Sequence, residues 1–428
     1  MSVCTVLVTS KGDMRKGLLC WSGLLLTNCL FAQRQCGAVE YENRLIDADP
    51  SLTISRKVVD NFLVQHEAQR MQSAARSQGE TIITIPVIVH ILYHYPGENL
   101  SDELVRSQIA ALNRDYRKLN PDTIKIPAAF KALAADCEIE FKLATVDGYG
   151  NATSGIIHKY TPITNWTLDD KIKFSSEMGD DAWDSRNYLN VWVGSLERLL
   201  GYSSMPGDPA TKDGVVLSNT IFGITGSGSY DQGRTAVHEI GHWLGLRHLW
   251  GDADCGDDGV ADTPRQQTFT NGCPSTPRVS CGNGPNGDMY MDFMDFTNDD
   301  CLVMFTDGQK QKMRALFENG GPRYSILMST GLNKPAIDQM PIPEAPPQWL
   351  HVQIFPNPAT TELTINVEYD QRWIGKQLQV INITGQLQIT ETISAKTLKL
   401  DVSQLKPGIY FIKGEKDGER MIQKFIKL

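Results

Sequence analysis

The sequence has no long block of lysine and arginine. Its 428 residues carry 41 basic and 50 acidic side chains, for a net charge of −9. A protein that binds nucleic acid through its phosphates shows a basic patch or stripe instead. The composition therefore gives no electrostatic basis for nucleic-acid binding, and no stable partner is implied.

The sequence also has no apolar run beyond its N-terminus that is long enough to span a membrane. Near the start, Met14-Arg15-Lys16 is followed by an apolar stretch at 17–31. This pattern is typical of a signal peptide, which predicts export, a true start at Met14 and cleavage near Ala32 or Gln33. A lipoprotein signal at Cys29 is the weaker alternative, because the residues before that cysteine match a lipid-attachment box poorly.

The sequence contains no Cys-x-x-Cys pair among the nine cysteines. Cys4, Cys20 and Cys29 lie in the segment 1–33, which export would remove. In an exported protein the four cysteines that follow residue 250 predict two disulfides, with three pairings open, and their spacing makes a second zinc site the weaker alternative; they are Cys255, Cys273, Cys281 and Cys301. Cys137 begins an apolar alternation, which predicts a buried thiol.

One run of eleven residues carries more chemistry than any other, namely HEIGHWLGLRH at 238–248. On a helix, His238 and His242 lie on one face about one turn apart, so both imidazoles can bind one Zn²⁺. Gly245 can adopt positive φ and end the helix, which lets His248 reach the same ion. Three histidine ligands leave the fourth position open for water, as in a catalytic zinc site.

Glu239 follows the first histidine and projects beside the metal rather than onto it. This is the position of a general base that takes a proton from a water at the metal. Surface histidines on an ordinary helix are the alternative interpretation, but the added Gly245 and His248 make a chance match several hundred-fold rarer than about one chain in a hundred.

The motif resembles that of the metzincin metalloproteases, and within them that of the pappalysin family. The segment DFMDFTNDDC at 292–301 supports the resemblance, since it is similar to the family's stretch around the methionine turn. Counting back from Cys301 makes Met294 the turn methionine, with Met291 as the competing register. Where the family has a tyrosine that hydrogen-bonds the tetrahedral intermediate, this chain has Phe296, which puts the rate in doubt.

The resemblance implies further site residues. It implies the pairs Cys255–Cys281 and Cys273–Cys301, a latency switch at Cys36 in which a thiolate masks the zinc, and selection of Arg or Lys after the scissile bond by Asp300. It also implies a structural Ca²⁺ in the acidic loop DCGDDGVADTP, for which the matching positions are Asp257, Asp258, Ala261 and Thr263. A surface thiol, a turn-capping aspartate and a solvated acidic loop are the respective alternatives.

Hydrophobic patterns divide the chain into five parts. After the leader, 34–79 is polar and helix-prone and predicts a propeptide, with cleavage at Arg70 or Arg76. Strands (one at Ile83–His94), a helix from Ser101 to about Leu119, the zinc helix from about Asp231 to Leu244 and a helix from Thr306 to near Gly320 give 80–330 an α+β plan. A sheet, an active-site helix and an irregular C-terminal subdomain agree with a metzincin-like catalytic domain.

A proline-rich linker is predicted at 331–350, and a small all-β sandwich at 351–428. Its FPNP opening, ITGQ turn, LKPGIYFIK strand and basic-apolar end resemble the C-terminal sorting domains of type IX secretion, which implies contact with that secretion machinery. A carbohydrate-binding or adhesion module is the alternative.

The sequence therefore predicts a secreted zinc endopeptidase that is made as a latent zymogen and cleaves before Arg or Lys. An inactive zinc-binding adhesin and another zinc amide hydrolase are the alternatives.

Overall fold

The computed structural model describes residues 36–72, 81–226, 228–335, 352–367, 373–416 and 419–428. The predicted leader, the cleavage candidate Arg76 and most of the predicted linker lie outside these ranges. Within the described part of the chain, no helix combines the length and apolar character that a membrane crossing requires.

A six-stranded sheet forms the centre of the catalytic part. Its longest strand, β1 (Ile83–Tyr93), is almost entirely buried, as its run of β-branched residues predicts. The other strands are β2 (Ile139–Leu143), β3 (Ile156–Tyr160), β4 (Leu189–Gly194), β5 (Gly201–Ser203) and β6 (Val215–Ser218). The order is β2-β1-β4-β6-β5, and β3 also pairs with β1. Only β5 runs antiparallel to its neighbour, and it forms an edge of the sheet.

Three helices belong to the catalytic part, and all three are shorter than the sequence predicts. Helix α3 spans Asp102–Tyr116, α4 spans Arg234–Trp243 and α5 spans Asp307–Ala315. The residues at which the sequence starts α3 and α5 are their caps: the Ser101 hydroxyl accepts from the backbone of α3, and Thr306 forms a capping box on α5.

The helix ends differ for local reasons. Helix α4 begins three residues after Asp231 because Gly233 has a φ of +76°, outside the helical region. Helix α3 stops at Tyr116, and Lys118 two residues later has a φ of +50°. After α5 the chain continues in turns before Gly320, whose φ is +88°.

The segment between α4 and α5 contains no α-helix or named strand and is held by two disulfides. Cys255 bonds to Cys281 and Cys273 bonds to Cys301, which is the pairing that the resemblance implies. Cys137 is fully buried outside both disulfides, and burial raises the pKa of its thiol above the usual range. The α+β plan with an irregular lower half is confirmed.

Two helices precede the sheet. They are α1 (Ala38–Ala48) and α2 (Leu52–Gln72). Helix α1 buries Tyr41 and Leu45 in a hydrophobic cluster with Trp192 of β4 and Tyr202 of β5. The segment that the sequence predicts as a propeptide is therefore packed against the face of the catalytic sheet.

The C-terminal strands form two antiparallel sheets around a core of their own. One sheet has the order β10-β9-β12-β13 and the other β11-β8-β7; the strands are β7 (Gln353–Phe355), β8 (Glu362–Asn366), β9 (Gln377–Asn382), β10 (Leu387–Thr392), β11 (Thr397–Asp401), β12 (Gly408–Lys416) and β13 (Glu419–Lys427). The run LKLDVSQLKPGIYFIKG contains β11 and β12 in different sheets, because the turn before Pro407-Gly408 lets the chain change sheet.

Candidate metal centre

Helix α4 ends in a turn that aims His248 back at the helix. The Gly245 amide donates to the His242 carbonyl at 2.8 Å, and the Leu246 amide donates to the Gly241 carbonyl at 2.9 Å. These two bonds form a Schellman motif, which needs positive φ at its glycine. Gly245 has a φ of +80°, so it is the residue that lets the chain reverse within the motif.

Three imidazole nitrogens meet where the chain reverses. His242 Nε2 lies 3.2 Å from His238 Nε2 and 3.1 Å from His248 Nε2. All three side chains are at least 98% buried. The sequence places these residues together correctly, and the fold brings their nitrogens, rather than only their rings, to one point.

The opposite nitrogen of each ring contacts an oxygen. His238 Nδ1 lies 2.7 Å from the Phe293 carbonyl, and His242 Nδ1 lies 2.9 Å from the Leu246 carbonyl. His248 Nδ1 lies 2.5 Å from the Asp252 carboxylate. A carbonyl or carboxylate oxygen accepts, so each Nδ1 carries the proton and each Nε2 presents a lone pair. Such contacts orient the histidines of metal sites.

Three lone pairs this close repel one another unless a cation lies between them. A second proton on the His242 ring is disfavoured, because burial and the neighbouring His248 lower the pKa of His242 to about 3. Tetrahedral Zn²⁺ with nitrogens at about 2.0–2.1 Å separates them by about 3.3 Å, close to the spacing observed. The three residues therefore fit a single metal ion of this size.

Glu239 lies beside the three histidines on the same helix and is completely buried. Its side chain runs along the edge strand β5: a Cβ added to Gly201 would lie 2.9 Å from the Glu239 Cγ. A side chain at position 201 would therefore push against Glu239. This packing holds the carboxylate next to the histidines without making it one of the converging ligands.

Met294 lies directly beneath α4, the helix that carries His238 and His242. A Cβ at Gly241 would meet the Met294 sulfur at 2.5 Å, so the glycine inside the motif makes room for this methionine. Both Met294 and the competing Met291 are buried. The contact with the helix is made by Met294, the register that the cysteine spacing favours.

Phe296 packs its ring edge-on against two of the histidines, with ring centroids 4.9 Å from His248 and 5.5 Å from His238. Trp250 stacks on His248 at 4.4 Å and also contacts Phe296, and Phe269 contacts both Trp250 and Phe296. This aromatic cluster excludes water from the ligands on that side. Sequence reasoning missed Trp250 and Phe269, since neither belongs to a recognisable spacing.

Cys36 lies over the open side of the site. Its sulfur is 3.5 Å from His242 Nε2, and Cys36, His238, His242 and His248 offer four ligand atoms that all lie within 4.8 Å of one another. Cys36 also forms a parallel bridge with Gly201, and the Gly37 amide donates to the Gly201 carbonyl at 2.9 Å. The segment before α1 thus adds to the free edge of the sheet beside the metal site.

Asp300 and its neighbour Asp299 have different environments. Asp300 is exposed, and its carboxylate accepts from Gln232 at 2.5 Å. Asp299 is buried and accepts from the backbone amides of Gln232 and Arg234, where it compensates the positive end of α4. Arg234 is itself held by Asp115 and Asp122. No pattern in the local sequence singles out Asp299, because it caps α4 from a different segment of the chain.

The four calcium candidates do not form a cage of oxygens. Asp258 accepts from the Thr263 hydroxyl at 2.9 and 3.0 Å, and burial raises the pKa of Asp258 to about 6. Asp257, however, pairs with Arg265 at 2.9 Å, and Lys312 donates to the Asp258 carbonyl at 2.8 Å. Ala261 is exposed. Two cations thus contact this loop, and the calcium site stays a prediction.

Comparison with known families gives two matches along the chain. Residues 173–318 match the family profile described as pregnancy-associated plasma protein-A, and residues 353–428 match the profile described as a secretion system C-terminal sorting domain. The second match shows that the chain is secreted or attached to the cell surface. The first covers the zinc motif, the cysteine loops and α5.

Individual relatives agree with these profiles. An extracellular metalloprotease of Verticillium alfalfae is 30% identical over 272 residues, which are 60% of this chain and 84% of that protein. The structure of Tannerella forsythia mature mirolysin with a cleaved peptide is 43% identical, with a TM-score of 0.57, and the match covers 59% of this chain and 97% of that one.

A Tannerella forsythia promirolysin mutant is 39% identical with a TM-score of 0.62, and here the match extends to 69% of this chain and 97% of that one. The larger share of this chain in the match to the precursor agrees with a prosegment in front of the catalytic part. The chain belongs to the pregnancy-associated plasma protein-A family, the pappalysins, and is a metalloendopeptidase.

Proposed function

We propose that the protein is a zinc endopeptidase in which His238, His242 and His248 hold the metal and Glu239 is the general base. The observation that carries the proposal is the set of three Nε2 lone pairs, in which the His242 Nε2 lies within 3.2 Å of the other two and each ring is fixed by an Nδ1 contact on its far side. A bound Zn²⁺ lowers the pKa of water and polarises a carbonyl group.

The protein groups move the proton. Glu239 accepts a proton from the attacking water and delivers it to the leaving amine. The aromatic cluster around Phe296 supports this chemistry, since charge interactions are stronger where water is excluded. Phe296 brings no hydroxyl to the tetrahedral intermediate, so turnover is expected to be slower than with a tyrosine there.

The substitution Glu239→Ala tests the proposal. Proteolysis of casein by the processed enzyme should fall by about 10²–10⁴-fold, the usual contribution of a general base. Bound zinc, measured by elemental analysis, should stay at one ion per chain. Glu197→Ala is the control, because Glu197 is 59% exposed on the surface. Full activity of Glu239→Ala would contradict the assignment.

We further propose that Cys36 keeps the precursor latent. Its thiolate with three imidazoles makes a four-ligand set, and a site closed in this way has no position left for water. The segment 34–79 acts as the propeptide, and 80–330 is the catalytic domain. Cleavage at Arg70 or Arg76 removes the propeptide and, with it, the Cys36 sulfur. The side chain of Arg70 and all of Arg76 lie outside the described residues.

Substrate choice is proposed to depend on Asp300. The Asp300 carboxylate is exposed and anchored through the Cys273–Cys301 disulfide next to it, so a cationic side chain can reach it. Peptides should therefore be cleaved on the amino side of Arg or Lys. A peptide library digested by Asp300→Asn should lose this enrichment, whereas Asp401→Asn on the C-terminal domain should keep it.

The domain at 351–428 is proposed to address the protein to the type IX secretion machinery, with 331–350 as a linker. The first residues of this linker pack on the catalytic part, where the Gly331 carbonyl accepts from the Thr145 amide at 2.8 Å. Deleting 351–428 should leave the protein inside the outer membrane, as cell fractionation would show.

A structural Ca²⁺ held by Asp257, Asp258, Ala261 and Thr263 is tested by calorimetric titration of the chelated protein.

A further inference from the structure

A second preformed site lies next to the metal centre, on the face of the sheet that α1 covers. Its walls are the rings of Trp192 and Tyr202, and at its end lie the oppositely charged side chains of Asp170 and Lys173. We call these four residues the phenol pocket. The side chain of Tyr41 fills it and is 1% exposed.

The hydroxyl of Tyr41 is bonded on both sides. It donates to the Asp170 carboxylate at 3.0 Å and accepts from the Lys173 ammonium at 3.0 Å. Burial, followed by the nearby Asp170 charge, raises the pKa of Tyr41 well above its usual range, so the group is a neutral phenol able to donate. The Tyr41 ring also lies 4.8 Å from the Tyr202 ring and 4.6 Å from the Lys173 ammonium.

The charged residues of the pocket are positioned by the catalytic part itself. Lys173 contacts Asp170 at 3.0 Å and donates to the Lys212 carbonyl at 2.8 Å, and its side chain is completely buried. Asp170 also contacts the Lys212 ammonium at 3.1 Å. A lysine ammonium has three protons, and the third one points to the Tyr41 oxygen. The pocket thus keeps one donor and one acceptor position for an incoming hydroxyl.

The phenol pocket is reached along the edge strand that passes the metal site. Cys36 and Gly37 pair with Gly201 of β5, and Tyr41 follows five positions after Cys36, in the first turn of α1. Gly37 passes closely between Leu168 and Leu199, because an added Cβ would lie 2.9 and 3.2 Å from their side chains. A peptide that pairs with this edge and then bends towards the sheet face as the chain does at α1 can therefore reach the metal and the pocket together.

We propose that the phenol pocket is a specificity site of the processed enzyme, which binds a tyrosine side chain of the substrate after the propeptide and its Tyr41 have left. This inference rests on the proposed function, since it names a further substrate contact of the same cleft. The Asp170 and Lys173 positions distinguish tyrosine from phenylalanine, because a phenylalanine has no hydroxyl to donate to Asp170 and to accept from Lys173.

Cleavage kinetics of the processed enzyme test the proposal. The substrates are peptides with one cleavable bond before arginine and alanine elsewhere, in which a single tyrosine or phenylalanine is moved through the six positions on each side. At one position kcat/KM should be about tenfold or more higher for tyrosine than for phenylalanine, as expected for a hydrogen bond to a charged group. A tyrosine-to-phenylalanine ratio near one at every position would overturn the proposal.

Two variants connect this preference to the pocket. Lys173→Met removes the ammonium, and Asp170→Asn keeps the size of the side chain at a φ of +64° that asparagine tolerates. Both should bring the ratio towards one, while Lys171→Met, whose side chain is 54% exposed, should keep it. The thermal unfolding midpoint of each variant shows that it is folded, and a ratio unchanged in both folded variants would contradict the proposal.

A binding measurement separates this proposal from the proposed function. The Glu239→Ala chain, with its propeptide removed by limited trypsin digestion, is titrated with each tyrosine peptide of the series and its phenylalanine counterpart, all fluorescently labelled. Tighter binding of the tyrosine peptide by about tenfold supports the pocket even if no peptide is cleaved by the wild-type enzyme. Equal binding, alongside normal proteolysis by the wild type, would reject the pocket alone.

Discussion

The metal centre has two sides that differ in origin and permanence. The floor consists of α4, Met294 and the oxygens that hold the three histidines, and it belongs entirely to the catalytic part. The roof consists of Cys36, Gly37 and α1, which precede the sheet in the chain and pair with its edge strand. Under the proposed function, the floor supplies the catalytic groups and the roof controls access to them.

Under the proposed function, the same three histidines belong to a closed site in the precursor and to an open site in the processed enzyme. With the roof in place, Cys36 completes a closed set like that of a structural zinc site. Without the roof, three histidines and Glu239 remain as an open catalytic set. Variants that act on one side only can separate the two contributions.

The largest effect is expected from removing the thiol of the roof. Cys36→Ala should raise the peptidase activity of the unprocessed chain by at least about a hundredfold, which corresponds to about 2.8 kcal/mol of lost propeptide binding. A short fluorogenic peptide measures activity, and gel electrophoresis shows that the chain is still intact. Cys137→Ala, at the other cysteine of the described residues that lies outside the disulfides, should leave the chain latent. Latency of Cys36→Ala would contradict the switch.

The next effect concerns the floor. Asp252→Asn weakens the contact at His248 Nδ1, and such contacts change metal affinity by about 10–100-fold. Although burial raises the pKa of Asp252, the hydrogen bond with His248 outweighs it and keeps that pKa below its usual range. Zinc affinity is measured by competition with a chelator. The exposed neighbour provides the control Asp254→Asn, and equal affinities of the two variants would exclude this role.

A smaller effect is expected at the contact between α2 and the catalytic part. Arg56 pairs with the Asp208 carboxylate at 2.6 Å and donates to the Pro206 carbonyl at 3.1 Å. Arg56→Met should speed propeptide release about tenfold, the equivalent of a hydrogen bond to a charged group. Lys57→Met tests a neighbouring cation that points to solvent. The release rate is followed by gel electrophoresis, and identical rates in both variants would show that the contact does not hold the roof.

The smallest effect is expected from filling the space under the helix. Gly241→Ala places a methyl group 2.5 Å from the present position of the flexible Met294 sulfur, which must then move. We expect a loss of about 1 kcal/mol and a thermal midpoint about 2–4 °C lower. Gly97→Ala is the control, because no atom lies within 4 Å of its added Cβ. No difference between the two midpoints would mean that the packing is not tight.

The two sides also differ in how far they could be predicted. The spacing of the three histidines and the ability of Gly245 to turn the chain follow from helix geometry. The run of β-branched residues predicts both ends of β1 almost to the residue. The capping residues Ser101 and Thr306 were equally local. By contrast, β5 has three residues and no alternating pattern of its own. It is a strand because β6 and the propeptide pair with it.

The sequence by itself determined the ligands, the base and the cysteines that staple the irregular half, because each depends on residue type and short spacing. Only the tertiary structure decided which carbonyl holds the His238 imidazole, that Asp299 rather than Asp300 caps α4, and that Tyr41 fills a charged pocket beside the cleft. These contacts join residues that lie 55 to 129 positions apart. Backbone carbonyls and caps from distant segments have no signature in the local sequence, so their partners are set only when the sheet and the loops pack together.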